Sequence, residues 1–129
     1  MRLAELMLDA YLGTIDYEGE SPSEAVGEVE RYFSPAAEDP ALLGPSVMIV
    51  EGEAVLCACL VKAWRLRNCP LIGYVICQAD RKGQGLATVA LLETLRLLRE
   101  AQYGEVRAVI TAGNLPSERL FFSAGFERI

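Results

Sequence analysis

The sequence predicts an α/β (α+β) fold in which helices cover the faces of a mixed sheet. Helical periodicities and strand-like apolar runs alternate in the order helix, helix, strand, strand, strand, helix, strand, helix, strand. The chain has 129 residues, of which 52% are hydrophobic, so it can bury one real core but is too short for two. We therefore expect a single domain over residues 1–129.

Two helices are predicted before the first strand. Apolar residues recur at helical spacing from Leu3 to Tyr11, which indicates the first helix. The second helix should begin after Ser21, because Ser21 and Glu24 form the pattern of a capping box around Pro22. Its buried residues are expected to be Ala25, Val29, Tyr32 and Phe33.

Three strands should follow. Residues 46–50 and 54–64 are rich in Val, Ile, Leu and Cys and are separated by a short polar turn, which predicts a β-hairpin. Residues 70–78 form the third strand. The segment before residue 46 contains three prolines and Gly44, so we expect an irregular connection there.

The C-terminal half should contain a long helix, a short strand, a short helix and the start of a final strand. The ranges are 86–102, 106–111 and 117–123, with the last strand from Phe126 onward. The long helix is expected to pack deeply on the sheet. Its apolar residues include Leu86, Val89, Ala90, Leu92, Leu95, Leu97 and Leu98.

A glycine-punctuated turn lies between the third strand and the long helix. Its sequence is Lys82-Gly83-Gln84-Gly85-Leu86-Ala87. Glycines allow unusual dihedral angles, so successive N–H groups of the turn can point toward a bound anion. The unpaired N–H groups at the start of the helix favour the same occupant. The turn is therefore a generic phosphate site.

The distribution of charge argues against a nucleic-acid partner. The net charge is −6, and the first 56 residues hold twelve acidic and two basic side chains, against six and ten in the rest. Nucleic-acid binding needs a concentrated basic face. The acidic residues of the first half are explained as well by a solvated helical surface as by a functional role.

Membrane, export and metal functions are also disfavoured. No apolar run reaches the roughly 18 residues of a membrane span, and the first residues lack the apolar core of an export signal. The four cysteines lie in apolar, strand-like stretches, as expected of reduced, buried thiols in a cytoplasmic protein. Neither histidine nor a C-x-x-C motif occurs, so no metal site is predicted.

The residues described so far resemble the GNAT acyltransferase superfamily, which transfers an acyl group from acyl-CoA to an amine. The family motif is Arg or Gln, two residues, Gly, one residue, then Gly or Ala, and Lys82 to Ala87 match it with Lys at the first position. A second motif is an Asn after the fifth family strand, followed by a short helix ending in Gly-Phe. Asn114 and Gly125-Phe126 match it. The resemblance implies a mostly antiparallel sheet.

The resemblance also implies where acetyl-CoA, the co-substrate, would bind. The N–H groups from Gly83 to Thr88 would hold the pyrophosphate, and Lys82 with Arg81 would add charged contacts. The backbone of Val75 and Cys77 would pair with the pantetheine arm. Asn114 would lie near the pantetheine or the acyl end, and its alternative role is a helix N-cap. The cofactor-binding set is Val75, Cys77, Arg81, Lys82, Gly83, Gln84, Gly85, Leu86, Ala87, Thr88, Asn114 and Phe121.

The catalytic groups are less clear from the sequence. Many family members have a tyrosine as general acid where this chain has Phe121, which cannot donate a proton. Tyr74 or Tyr103 would be substitutes, although a core or surface role explains both. No carboxylate lies between Glu53 and Asp80, where some members carry the base. The catalytic acids expected instead are Asp16, Glu18 and Glu20, in a loop whose alternative role is solvation.

Residues 1–45 would then form an acidic, helical acceptor side and residues 46–129 the acyl-CoA-binding core. The chain opens within a helix and stops soon after Gly-Phe, so the sheet is expected to lack the first family strand and the final hairpin strand. Either the chain is truncated or a second copy covers the sheet edge in a homodimer.

The leading hypothesis is an N-acetyltransferase that acts on a small-molecule or protein amine. The alternatives are a catalytically inactive acyl-CoA-binding module and a nucleotide site of another class. The last lacks both the P-loop Lys-Ser/Thr pair and a G-x-G-x-x-G motif.

Overall fold

A computed structural model of the chain describes residues 2–11, 19, 21–34 and 37–129. It contains four α-helices, four strands and one 3-10 turn in this part of the chain. The helices are α1 (Arg2–Tyr11), α2 (Pro22–Phe33), α3 (Leu86–Glu100) and α4 (Leu115–Ser123), and the 3-10 turn is Ala79–Arg81. The strands are β1 (Ala41–Glu51), β2 (Ala54–Trp64), β3 (Cys69–Cys77) and β4 (Arg107–Ala108).

The strands form one sheet in the order β1-β2-β3-β4. β1, β2 and β3 are antiparallel neighbours, whereas β4 runs parallel to β3. This mixed, mostly antiparallel sheet flanked by helices confirms the predicted fold class. None of the helices in the described residues is long and apolar enough to cross a membrane.

The sheet separates two hydrophobic cores, because successive side chains of a strand point to opposite faces. Ala58 and Leu60 of β2 pack with α1 and α2 on one face. Cys57, Cys59 and Val61 pack with α3 and α4 on the other. β2 is therefore buried from Val55 to Val61 and forms the centre of the domain.

The predicted capping box at the start of α2 is confirmed. The Ser21 hydroxyl accepts a hydrogen bond from the Glu24 N–H at 3.2 Å, and the Glu24 carboxylate accepts one from the Ser21 N–H at 3.4 Å. Ala25 and Val29 are buried as expected and Tyr32 is partly buried. Phe33, the last residue of α2, is exposed, so its predicted burial is wrong.

β1 is longer than the sequence predicts, since it begins at Ala41 and includes Gly44 and Pro45. Its pairing with β2 is irregular between Leu42 and Val47, where proline removes an N–H from the ladder. Ser46 repairs this interruption. Its hydroxyl donates to the Leu42 carbonyl at 2.6 Å and accepts from the Val61 N–H at 3.0 Å, which keeps the strand paired.

The C-terminal strands are shorter than predicted. The strand predicted over 106–111 is reduced to Arg107–Ala108, and no strand is assigned to the residues from Phe126 onward. The Phe126 N–H instead donates to the Phe121 carbonyl at 3.0 Å, and the two rings lie 4.9 Å apart. The chain after α4 therefore closes that helix rather than extending the sheet.

The buried face of α3 differs from the one that the sequence suggests. Val89 and Leu92 are exposed at 59% and 50%, whereas Leu91, absent from the expected set, is 0% exposed. The sheet touches α3 along the row Leu91, Thr94 and Leu98, which follows the helical repeat of three to four residues. A leucine-rich helix carries several such rows, so composition alone does not select one.

Truncation of Leu91 should therefore destabilise the domain much more than truncation of its neighbour. Leu91→Ala is expected to lower the free energy of unfolding by roughly 2 to 5 kcal/mol, because it leaves a cavity in a packed core. Leu92→Ala, the matched control, should change it by less than about 1 kcal/mol. Urea denaturation followed by circular dichroism measures both. Equal losses in the two variants would contradict the assigned helix face.

Candidate active site

A large opening forms where β3 and β4 separate. Their pairing consists of Leu71 with Arg107 and Ile72 with Ala108, after which the two chain segments diverge. The cavity between them has a volume of about 1040 Å³. Its walls come from β3, from the turn before α3, from α4 and from the inner sides of α1 and α2. Both layers of helices therefore reach one cavity.

The hydrogen-bond pattern of β3 directs backbone groups into this opening. The Gln78 N–H donates to the Leu56 carbonyl at 2.8 Å, and the register places Cys57 opposite Cys77. In an antiparallel ladder such bonded positions alternate with positions whose N–H and C=O point the other way. Val75 and Cys77 occupy these alternate positions. Their backbone groups face the opening, as a pairing with an extended ligand arm requires.

The glycine turn forms one end of the cavity. Gly83 and Gly85 have φ angles of +85° and +79°, which side-chain-bearing residues rarely adopt, and a Cβ on either would meet open space. Gly85 is the N-cap of α3, and no side chain caps the helix there. The first N–H groups of α3 thus remain available to an anion, and the helix dipole favours one.

All residues of the predicted cofactor-binding set except Gln84 line this cavity. Gln84 is an exposed residue between the two glycines. The structure thus brings together residues that are distant in sequence, from Val75 on β3 to Phe121 on α4. Their contact with a ligand stays a prediction.

Lys82 and Arg81 have protein partners in this structure. The Lys82 ammonium donates to the carbonyl of Ala10, in the last turn of α1, at 2.6 Å. The Arg81 guanidinium pairs with Glu51 at 3.4 Å, and both side chains are substantially exposed. Lys82 thereby satisfies a carbonyl at a helix C-terminus, where a cation is favoured.

A second contact joins the same two segments. The Asp9 carboxylate of α1 accepts a hydrogen bond from the Ala79 N–H at 2.7 Å. The end of α1 is therefore attached to the start of the turn by two bonds. This attachment fixes one helix of the N-terminal layer against the glycine-turn end of the cavity.

Asn114 serves as the N-cap of α4. Its side-chain oxygen accepts a hydrogen bond from the Ser117 N–H at 3.3 Å, and the helix begins at Leu115, two residues earlier than predicted. The residue also lines the cavity. The N-cap alternative is thus present in the structure, and the ligand-binding role remains a prediction.

Phe121 brings an apolar ring to the cavity wall. It is buried in the core on the α3 side and packs edge-to-face against Phe126. The ring has no proton to donate, so any general acid must come from another group. Tyr103 does not lie in this cavity but in a second one formed by the opposite end of the sheet.

Tyr74 and Glu28 form a hydrogen-bonded pair on the N-terminal side of the same cavity. The Tyr74 hydroxyl donates to the Glu28 carboxylate at 2.6 Å, and both residues line the cavity. Glu28 is not among the site residues that the sequence predicts. A signal was present, because Glu28 lies between Ala25 and Tyr32 in the apolar stripe of α2, where a carboxylate is unexpected.

Tyr32 packs against the ring of Tyr74 in this pair. Its ring lies 5.4 Å from that of Tyr74, and a Cβ at Gly73 would approach it to 3.1 Å. Burial raises the pKa of Tyr32, so its hydroxyl stays neutral. Glycine at position 73 therefore leaves room for the Tyr32 ring, which a larger residue would have to displace by a few tenths of an ångström.

Some predicted features lie elsewhere. The acids predicted to be catalytic, Asp16, Glu18 and Glu20, are outside the described residues. All four cysteines are free and buried, as expected. Within the described part of the chain, no group of three or more potential metal ligands is found.

Several solved structures share this fold, and acetyltransferases are among them. PH1933 from Pyrococcus horikoshii OT3 has a TM-score of 0.77 at 15% identity, over 99% of this chain and 80% of that one. A ribosomal-protein-alanine N-acetyltransferase from Brucella melitensis has a TM-score of 0.71 at 20% identity, over 98% and 78%. The aminoglycoside acetyltransferase AAC(6')-Iy, solved with a CoA bisubstrate analogue, has a TM-score of 0.68 at 10% identity, over 98% and 83%.

The sequence itself places the chain in a family. No curated protein is significantly similar to it. A family model described as the acetyltransferase (GNAT) domain matches residues 4–127, which is nearly the whole chain. The resemblance expected from the glycine turn, Asn114 and Gly125-Phe126 is thereby confirmed, and this protein belongs to the GNAT acetyltransferase family.

Proposed function

We propose that this protein is an N-acetyltransferase that transfers an acetyl group from acetyl-CoA to an amine of a small molecule or a protein. The observation that carries the proposal is the opening between β3 and β4, which leads to the uncapped N-terminus of α3. An extended, anionic ligand matches this shape. The likeness to AAC(6')-Iy, which was solved with CoA, supports the same assignment.

The CoA moiety would lie along β3. Its pyrophosphate would accept hydrogen bonds from the turn at Gly83 and Gly85, where the helix dipole also favours negative charge. Its pantetheine amides would pair with the outward backbone groups of Val75 and Cys77. The thioester would then lie beyond Val75, toward Gly73, and a backbone N–H there would stabilise the oxyanion of the tetrahedral intermediate.

Glu28 and Tyr74 would perform the proton transfers. The amine must lose a proton to attack the thioester carbon, and the Glu28 carboxylate would accept that proton. The CoA thiolate leaves as the tetrahedral intermediate collapses, and the Tyr74 hydroxyl would protonate it. Because Tyr74 already donates to Glu28 at 2.6 Å, the proton on Glu28 can then return to the tyrosine oxygen. Tyr74 would thus take the role of the general-acid tyrosine that many family members have at the position of Phe121.

A cytoplasmic location is part of this proposal. Four free, buried cysteines are typical of a protein that stays in a reducing compartment.

A non-catalytic acyl-CoA-binding module is the second candidate function. The observation that favours it is Phe121, an apolar side chain at the usual position of the general acid. Incubation with acetyl-CoA and a panel of amines separates the two functions, with release of free thiol as the measure of turnover. Turnover excludes the binding module, and thermal stabilisation by acetyl-CoA without turnover excludes the enzyme.

Gly85→Ala should weaken acetyl-CoA binding. A side chain at φ +79° costs roughly 1 to 2 kcal/mol and shifts the helix N-terminus, so we expect the Kd from calorimetry to rise about tenfold. Gly52→Ala at the β1–β2 turn is the matched control, because its φ of +60° imposes comparable strain at a residue that does not line the cavity. It should lower stability and leave the Kd unchanged. An equal Kd in both variants would contradict the assigned anion site.

Glu28→Gln and Tyr74→Phe should each lower kcat. General acid–base groups contribute roughly 100-fold or more, and neither residue lies at the anion-binding turn, so the Kd for acetyl-CoA should stay the same. Glu30→Gln, on the exposed side of α2, is the control and should retain full activity. Steady-state kinetics with thiol detection measures kcat. Wild-type kcat in both variants would show that the pair is structural.

A further inference from the structure

We propose that Cys57 and Cys77 form a peroxide-sensitive dithiol at the wall of the cavity, which closes to a disulfide between β2 and β3. The two residues come from different strands and are distant in sequence. This site is independent of the acetyl-transfer proposal, because it needs neither CoA nor an amine.

The sheet register brings the two thiols together. Cys57 and Cys77 are direct partners in the antiparallel pairing of β2 and β3. The neighbouring pair is the hydrogen-bonded one, since the Gln78 N–H donates to the Leu56 carbonyl. Cys57 and Cys77 are therefore a non-hydrogen-bonded pair, whose Cα atoms lie about 4.5 Å apart with side chains on one face. Disulfides span Cα separations of about 4.4 to 6.8 Å, so the backbone already permits the bond.

The two thiols differ in reactivity. They hydrogen-bond to each other, and the bond that Cys57 donates holds the pKa of Cys77 below its ordinary value. The nearby Lys82 ammonium lowers the pKa of Cys77 further. The same hydrogen bond, together with burial, raises the pKa of Cys57. Cys77 is thus the attacking thiol, and Cys57 is placed to resolve its oxidised form.

Access also favours Cys77. Its side chain is 7% exposed and lines the large cavity, whereas Cys57 is 0% exposed and lies behind it in the core. A small oxidant can therefore reach Cys77 through the opening between β3 and β4. Cys57 needs no access to solvent, because its reaction partner is the adjacent sulfur.

The other two cysteines lack this combination. Cys59 faces Val75 across the ladder, and burial raises its pKa to about 11. Cys69 lies at the far end of β3, opposite Trp64, and its pKa is raised by burial. Neither has a cysteine as its strand partner. The register itself therefore selects one pair out of the four cysteines.

The reaction balances with a peroxide as oxidant. The Cys77 thiolate attacks one oxygen of hydrogen peroxide, the O–O bond breaks, and hydroxide leaves and takes up a proton to form water. The Cys57 thiol then attacks the sulfur of the resulting sulfenic acid. An S–S bond forms, the S–O bond breaks and a second water leaves. Two thiols are oxidised and one peroxide is reduced to two waters.

Peptide mapping after peroxide treatment tests the proposal. The variant with Cys59→Ala and Cys69→Ala keeps Cys57 and Cys77, which lie in the separate tryptic peptides 32–62 and 68–81. Hydrogen peroxide should link these two peptides, and a reductant should separate them. Addition of Cys77→Ser should abolish the link and slow thiol loss at least about tenfold. Addition of Cys57→Ser should leave a sulfenic acid on Cys77 that dimedone traps.

The wild-type chain provides the same readout if the double variant does not fold. Fragmentation of the linked peptides between Cys57 and Cys59, and between Cys69 and Cys77, identifies the bonded sulfurs. A link between Cys57 and Cys77 in the folded protein supports the proposal. Unlinked peptides in folded protein, or a link through Cys59 or Cys69 instead, would overturn it.

Discussion

The short pairing between β3 and β4 is the constraint on which the rest of the structure depends. The two strands pair in parallel at Ile72 and Ala108 and then separate. Continued pairing would consume the outward backbone groups of Val75 and Cys77 and would close the cavity. Because the strands separate, β3 keeps an open edge in the middle of a folded domain. The cavity, the glycine turn and the Asn114 cap are all arranged around that edge.

Polar contacts near this edge join the two halves of the chain. Lys82 donates to the Ala10 carbonyl, and the Ala79 N–H donates to Asp9, so the end of α1 is bonded to the turn. On the neighbouring helix, Glu28 accepts the hydrogen bond of Tyr74. The acidic N-terminal helices are therefore more than a solvated surface. They bring a carboxylate to a cavity whose other walls are formed by residues 72–123.

Some elements were predictable because local physics specifies them. The capping box at Ser21 and Glu24, the glycine turn and the start of α3 at Leu86 all rest on short-range backbone requirements. The limits of β1 and β4 were wrong, because they depend on partners elsewhere in the chain. Ser46 keeps β1 paired through contacts with Leu42 and Val61, and β4 ends where β3 diverges from it.

The sequence by itself determined the class of fold, the glycine turn with its helix and the family to which the protein belongs. These follow from periodicity, from the dihedral freedom of glycine and from motifs in a fixed order. Only the tertiary structure decided that Glu28 meets Tyr74, that Lys82 reaches α1 and that Cys57 lies opposite Cys77. Each of these contacts joins residues remote in the chain, and strand register and helix docking, rather than local propensity, determine which ones meet.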